Sequence, residues 1–98
     1  MIRGTTVKIT FNVPIDVEDI EVAYVTFVSD SITFEKSKNE LTFEEGKIIA
    51  NLSQADTLKF KGNEVVKVQL RARLSDGEVL GSKIRSLKVA DILKEGEI

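Results

Sequence analysis

The chain contains few residues of the types that carry out catalysis. None of its 98 residues is a histidine or a cysteine, which excludes a histidine general base, thiolate chemistry, disulfide bonds and the usual structural zinc sites. Serine, lysine and carboxylates remain, but no phosphate-binding glycine loop, nucleophile elbow or metal-ligand spacing accompanies them. The sequence therefore predicts a protein that is not an enzyme and that uses no cofactor.

Carboxylates are the one chemically active group that the sequence places close together. Four of them fall in or beside one predicted loop: Asp16, Glu18, Asp19 and Glu21. Such a group could supply oxygen ligands to Ca²⁺, but the glycine-punctuated pattern of a calcium loop is absent. Glu44 and Glu45 are consecutive, so in a strand they point to opposite faces and do not form an acid/base pair. A calcium-binding domain or an unrecognised small enzyme is kept as an alternative.

The segment Val65 to Leu74 carries the clearest structural pattern, because apolar and polar residues alternate there without a break. Successive side chains of a strand point to opposite faces, so the even-numbered residues from Val66 to Leu74 face a core. Lys67, Gln69, Arg71 and Arg73 then face water. The segment is predicted to be a half-buried β-strand.

Similar patterns and turn signals predict further short strands along the chain. The predicted strands are 5–13, 20–28, 32–37, 41–44, 47–52, 65–74 and 78–89, the last with a β-bulge near 81–85. Ser53 followed by Asp56 resembles a helix N-terminal box and predicts a helical turn near 53–58. Together these elements indicate an all-β, immunoglobulin-like antiparallel sandwich of about seven strands, with a small β-barrel as the alternative. Residues 1–98 are expected to form a single domain in which 90–98 is a C-terminal tail, either frayed or a short helix.

Basic residues are concentrated on the predicted outer face of the hairpin formed by the last two strands. They are Lys67, Arg71, Arg73, Lys83, Arg85 and Lys88. Like charges on neighbouring strands repel one another, so a neutralising partner is needed. The strand with Glu35 could lie beside this one, or an acidic surface of another subunit could cover it. Val22 and Tyr24 are also predicted to point outward, from the second strand, and several exposed apolar residues on one surface would mark an interface.

Four stretches of the sequence resemble a known group of proteins. They are Arg3-Gly4-Thr5-Thr6, residues 52–60, residues 66–71 and residues 89–98. The chain is similar, over essentially its whole length, to short proteins encoded in prophages of Gram-positive bacteria. Their genes tend to lie among virion structural genes, so the resemblance implies an accessory role in a phage head, tail or baseplate. It implies no catalytic or binding residue.

These observations predict a non-enzymatic phage structural or protein-interaction module that assembles with itself or with another virion protein. The residues expected to form the interaction surface are Lys67, Arg71, Arg73, Arg85, Val22 and Tyr24. A carbohydrate-binding or host-surface-binding module is the alternative, with Tyr24 as the only tyrosine and no tryptophan to support it. Nucleic acid is not an expected partner, because 14 basic residues against 16 acidic ones give a net charge of −2.

No membrane partner is expected either, and no small-molecule substrate is identified. The first residues, Met1 to Thr6, lack the apolar core of a signal peptide. We therefore expect a protein that is cytoplasmic when synthesised, and a secreted or virion-borne destination without a signal is kept as the alternative.

Overall fold

The computed structural model of the protein describes all residues, 1–98, and the alternating segments form eight strands. The strands are β1 (Val7–Asn12), β2 (Ile20–Val28), β3 (Thr33–Ser37), β4 (Leu41–Glu44), β5 (Lys47–Leu52), β6 (Val65–Leu74), β7 (Val79–Gly81) and β8 (Arg85–Lys88). One α-helix, α1 (Gln54–Leu58), lies between β5 and β6. Two single turns of 3₁₀ helix, Val17–Asp19 and Lys38–Glu40, connect β1 to β2 and β3 to β4.

The strands form two antiparallel sheets that pack face to face. The small sheet has the order β1-β5-β4, and the large sheet has the order β3-β2-β6, with β7 and β8 both paired to the far side of β6. These orders match strands B-E-D and C′-C-F-G of an immunoglobulin sandwich. No strand of one sheet pairs with a strand of the other, so the protein is a sandwich and not a closed barrel.

The core lies between the sheets and contains 17 buried apolar residues. The alternation predicted for β6 is confirmed, since Val66, Val68, Leu70, Ala72 and Leu74 are all buried. From β2, the residues Ala23, Val25 and Phe27 face the same core, and from β5 the residues Ile48, Ala50 and Leu52. The two faces of each strand are therefore well defined.

The final strand predicted for 78–89 is divided into β7 and β8 by residues 82–84, as expected from the predicted bulge. At this break the Ser82 Oγ accepts a hydrogen bond of 3.0 Å from the N–H of Leu70. The side chain thus takes the place of the backbone carbonyl that would accept this hydrogen bond in a regular pair of strands. This division raises the number of strands from the predicted seven to eight.

The predicted helical turn near 53–58 is confirmed as α1. The Ser53 Oγ accepts a hydrogen bond from the Asp56 N–H at 3.1 Å, and the Asp56 carboxylate accepts one from the Ser53 N–H at 2.9 Å. Two otherwise unpaired backbone N–H groups at the start of α1 are thereby satisfied. Thr57 anchors the helix to the chain before β1, because its Oγ1 donates to the carbonyl of Thr5 at 2.8 Å.

The two ends of the chain are held together at the edge of the large sheet. Ile2 pairs with Ala90 in a parallel bridge, next to the end of β8. The Arg3 guanidinium donates to the carbonyl of Phe60 at 2.7 Å and contacts the carboxylates of Asp91 and Glu95, each at 3.0 Å. Residues 90–98, predicted as a frayed tail or a short helix, contain no helix, and these contacts hold the tail at Ala90, Asp91 and Glu95.

Candidate interaction surface

The solvent-facing side of the large sheet, hereafter the outer face, is formed by residues that alternate with the core residues. From β2 it receives Val22, Tyr24, Thr26 and Val28; from β3, Thr33, Glu35 and Ser37; from β6, Val65, Lys67, Gln69, Arg71 and Arg73; from β7, Val79; and from β8, Ser86 and Lys88. The structure therefore brings together five of the six predicted interaction residues, namely Val22, Tyr24, Lys67, Arg71 and Arg73.

Exposed apolar side chains of the strands are confined to the outer face. The large apolar residues that lie in strands and are exposed are Tyr24, Val28, Val65 and Val79. The solvent side of the small sheet carries Lys8, Thr10, Asn12, Thr42, Glu44, Lys47 and Asn51, with the half-buried Ile49 as its only apolar member. The two sides of the sandwich thus differ in chemical character, and only the outer face has the composition of an interface.

A shallow depression of about 290 Å³ lies at the centre of the outer face. Its lining includes Val22 and Tyr24 from β2, Arg71 and Arg73 from β6, and Glu35 from β3. Tyr24 is 42% exposed and is the only aromatic residue among the large exposed apolar residues. A depression with a tyrosine and two arginines has the side chains that are enriched where proteins bind proteins.

Three of the basic residues on the outer face have no acidic partner within the chain. Lys67, Arg71 and Lys88 form no ion pair, and Glu35 forms none either, whereas Arg73 contacts Glu21 at 3.3 Å. The prediction that the Glu35 strand lies beside β6 is wrong, because β2 lies between β3 and β6. In that register Glu35 is opposite Thr26, and Thr26 is opposite Gln69. An internal ladder of ion pairs therefore does not neutralise Lys67 and Arg71.

Arg85, the sixth predicted residue, does not lie on the outer face. It is opposite Val68, a core residue, and therefore points toward the space between the sheets at their open edge. There its guanidinium lies 4.4 Å from the centroid of the Phe11 ring and donates to the carbonyl of Thr10 at 2.8 Å. Arg85 points inward because the irregular segment 82–84 comes before it. Arg85 therefore belongs to the regular strand β8 and points to the same inward face as Leu87, two residues later.

A second group of charges, hereafter the edge cluster, lies at the opposite open edge of the sandwich. It consists of Lys36, Glu40, Asp56 and Lys59. Lys36 Nζ is 2.9 Å from Asp56 Oδ2 and 3.9 Å from Glu40 Oε2, and Lys59 Nζ is 3.5 Å from Asp56 Oδ1. The side chains of Lys36 and Asp56 are only 15% and 10% exposed. This cluster was not predicted. A signal for it exists in the sequence, because Lys36 alternates with Glu35 and therefore points to the same inward face as Ile32 and Phe34.

Burial and hydrogen bonding have opposite effects on the carboxylate at the centre of the edge cluster. Burial by itself raises the pKa of Asp56. Hydrogen bonds from the Ser53 N–H and from Lys36 outweigh burial, so the pKa lies below the ordinary range of an aspartate. Asp56 is therefore a charged and partnered group, which suits a structural role.

The acidic residues of the loop before β2 do not converge on a common point. Asp16 accepts a hydrogen bond from the Glu18 N–H at 3.1 Å, and Glu21 is paired with Arg73. No group of three carboxylates in the structure is arranged to hold a metal ion. Glu44 and Glu45 both border an open groove of about 1000 Å³ at this end of the sandwich, together with the apolar residues Ile15 and Phe43.

Comparison of the chain with protein-family models, with curated proteins and with solved structures finds no match in any of the three. None of the helices has the length and the apolar character required to cross a membrane. The geometry of the outer face is therefore the observation on which a functional proposal can be built.

Proposed function

We propose that the protein is a non-enzymatic structural or interaction module of a phage particle, and that it binds a protein subunit through the outer face. The observation that carries this proposal is the confinement of the exposed apolar strand residues Tyr24, Val28, Val65 and Val79 to one side of the sandwich. Removing such a patch from water is favourable, because buried apolar surface contributes roughly 25 cal/mol per Å².

The unpaired charges of the outer face also support the binding of a protein partner. Lys67 and Arg71 extend from the same face of β6, on either side of Gln69, with no acidic side chain within ion-pair distance. Carboxylates of a bound subunit would pair with them and would set the orientation of the complex. The phage setting is supported by the sequence resemblance to prophage-encoded proteins, and the geometry supports only the binding of a protein.

The test is a measurement of molecular mass in solution for the purified protein, alone and mixed with the products of the genes adjacent to its own. Light scattering should show a complex. Tyr24→Asp places a charge at the centre of the outer face and is expected to weaken that complex at least about 10-fold, because a desolvated charge without a partner is costly.

Asn12→Asp is the matched control, since it introduces the same carboxylate on the solvent side of the small sheet, where Asn12 is exposed. It should leave the complex unchanged. A strict monomer that binds none of the neighbouring products, or equal losses for the two variants, would contradict the proposal.

Carbohydrate binding stays a prediction. Sugar-binding platforms use exposed aromatic rings, and Tyr24 is the only ring among the large exposed apolar residues of the structure. We propose no reaction and no metal ion for this protein.

A further inference from the structure

We infer that the subunit bound by the outer face is a second copy of this chain, related to the first by a two-fold axis that runs parallel to the strands. The inference rests on the proposed function, since it uses the same surface. It adds the identity of the partner and the geometry of the contact. The evidence is the way in which charge is distributed across the strands of the large sheet.

Charge on the outer face is separated into columns, one for each strand. On one side, β3 contributes Glu35 between the neutral residues Thr33 and Ser37. In the middle, β2 contributes only uncharged side chains between Val22 and Val28. On the other side, β6 contributes Lys67 and Arg71, both exposed and unpaired, and Arg73, which is paired with Glu21. Beyond β6, β8 contributes Lys88. The face is therefore acidic on one side of an apolar central strand and basic on the other.

A two-fold axis parallel to the strands makes this pattern self-complementary. Rotation about an axis that lies over β2 places β2 of one copy on β2 of the other, so the apolar columns meet. The same rotation places β3 of each copy on β6 of its partner, so the acidic column meets the basic one twice. Such a contact is isologous, and the strands of the two sheets stay aligned as in ordinary face-to-face sheet packing.

The register of the strands places the opposite charges at compatible heights. Within the large sheet, Glu35 is level with Thr26, and Thr26 is level with Gln69. In the dimer, Glu35 of one copy therefore faces the Gln69 position of the other, between Lys67 and Arg71. Each of those residues is two positions away along the strand, about 7 Å, which long side chains span.

The other in-plane two-fold axis, perpendicular to the strands, is disfavoured by the same charges. It would place β6 on β6, so that Lys67 and Arg71 would face the same residues of the second copy. Like charges that face each other across an interface are unfavourable and exclude such an arrangement. The charge pattern thus selects one of the two simple symmetric contacts.

The size of the outer face sets the strength of the expected dimer. With the axis over β2, only the columns of β3, β2 and β6 overlap, because β7 and β8 lie beyond the edge strand β3 of the partner. β2 has nine residues, which at about 3.3 Å each span about 30 Å, and three columns of strands are about 14 Å wide. The area of roughly 400 Å² on each copy is about half of the roughly 800 Å² of a standard stable interface. We therefore expect a weak, reversible dimer with a dissociation constant in the high micromolar range.

Sedimentation velocity of the full chain from about 10 µM to about 1 mM tests the inference. Glu35→Arg, and separately Lys67→Glu combined with Arg71→Glu, should each weaken dimerisation at least about 10-fold, because each places like charges opposite one another. The triple variant reverses the charges on both sides of the contact and restores the pairing, so its dissociation constant should return to within about 3-fold of the original. Lys8→Glu combined with Lys47→Glu makes the same double charge reversal on the solvent side of the small sheet and should have no effect. Thermal unfolding of each variant shows that the fold is retained.

The possible results separate this inference from the proposed function. A dimer that is weakened by Glu35→Arg and by the Lys67→Glu, Arg71→Glu pair, and that the triple variant restores, supports the inference. A dimer that is indifferent to the variants overturns it. A chain that is monomeric alone, but that binds a neighbouring gene product and loses this binding with Tyr24→Asp, overturns the inference and leaves the proposed function standing. A monomer that binds no partner overturns both.

Discussion

Glu35 and Lys36 are consecutive residues of β3, but they belong to two different regions. Charges are paired in the region of Lys36 and mostly unpaired in the region of Glu35. Lys36 points inward and joins the edge cluster, where its Nζ lies 2.9 Å from Asp56. Glu35 points outward, is exposed and forms no ion pair. The alternation of a strand is sufficient to produce this difference, because adjacent side chains leave the backbone on opposite faces.

The difference shows which charges stabilise the fold and which are available to a partner. A charge that is removed from water needs an ion pair and hydrogen bonds, and those of the edge cluster have both. Charges on the outer face are hydrated and need no partner for folding, so they contribute little to stability. We therefore expect substitutions in the edge cluster to change the free energy of unfolding and substitutions on the outer face to change association.

The largest effect is expected for the comparison of Leu70 with Arg71, which tests where the outer face begins. Leu70→Ala deletes a core side chain that is 4% exposed and should lower the free energy of unfolding by about 2–5 kcal/mol. Arg71→Ala removes an exposed, unpaired charge and should cost less than about 1 kcal/mol. Denaturant unfolding measures both. Near-equal losses would mean that the two faces of β6 are assigned incorrectly.

An intermediate effect is expected for the comparison of Asp56 with Glu35. Asp56→Ala removes the carboxylate that accepts from the Ser53 N–H in the capping box of α1, and it leaves Lys36 partly buried without its closest partner. A loss of about 2 kcal/mol is expected, from the cap and the broken pair together. Glu35→Ala should change the free energy of unfolding by less than about 0.5 kcal/mol. If chemical denaturation gives Glu35→Ala the greater cost, the distinction between paired and unpaired charges fails.

The smallest effect is expected in the acid dependence of stability. The pKa of Asp56 is lower in the folded chain than its unfolded value of about 3.9, so the folded state binds its proton less readily. Its contribution to stability is then fully present above about pH 4 and is lost as the pH falls through the folded pKa.

Unfolding at a series of pH values should therefore show a steeper loss of stability below pH 4 for the original chain than for Asp56→Asn. Hydrogen bonds also lower the pKa values of three other carboxylates, Glu40, Glu64 and Asp91. The variant is therefore expected to keep some acid dependence. Identical pH profiles for the two proteins would show that Asp56 does not contribute to the acid dependence of stability.

Local sequence signals were sufficient for the features that neighbouring residues determine. The alternation in β6 and the Ser53–Asp56 box of α1 were predicted because each depends on a few adjacent side chains. The same alternation identified Val22, Tyr24, Lys67, Arg71 and Arg73 as outward residues, although it did not show that they share one face.

Features that depend on distant parts of the chain were not available from these signals. β2 separates Glu35 from β6, and strand order of this kind is set by the packing of the whole sandwich. The contact of Lys36 with Asp56 joins residues from β3 and α1. For Arg85, the sequence placed a bulge between residues 81 and 85 but could not assign it to one side of the arginine, and this choice reverses the direction of the side chain.

The parallel contact between the first residues of the chain and the end of β8 has a mechanical consequence. Three backbone hydrogen bonds connect these segments, from the N-terminus to the Lys88 carbonyl, from the Ala90 N–H to the Met1 carbonyl and from the Arg3 N–H to the Ala90 carbonyl. Tension between Met1 and a point beyond Ala90 would slide the two parallel segments past each other and load all three bonds at once. Rupture would then need a higher force than peeling, in which the bonds break one after another.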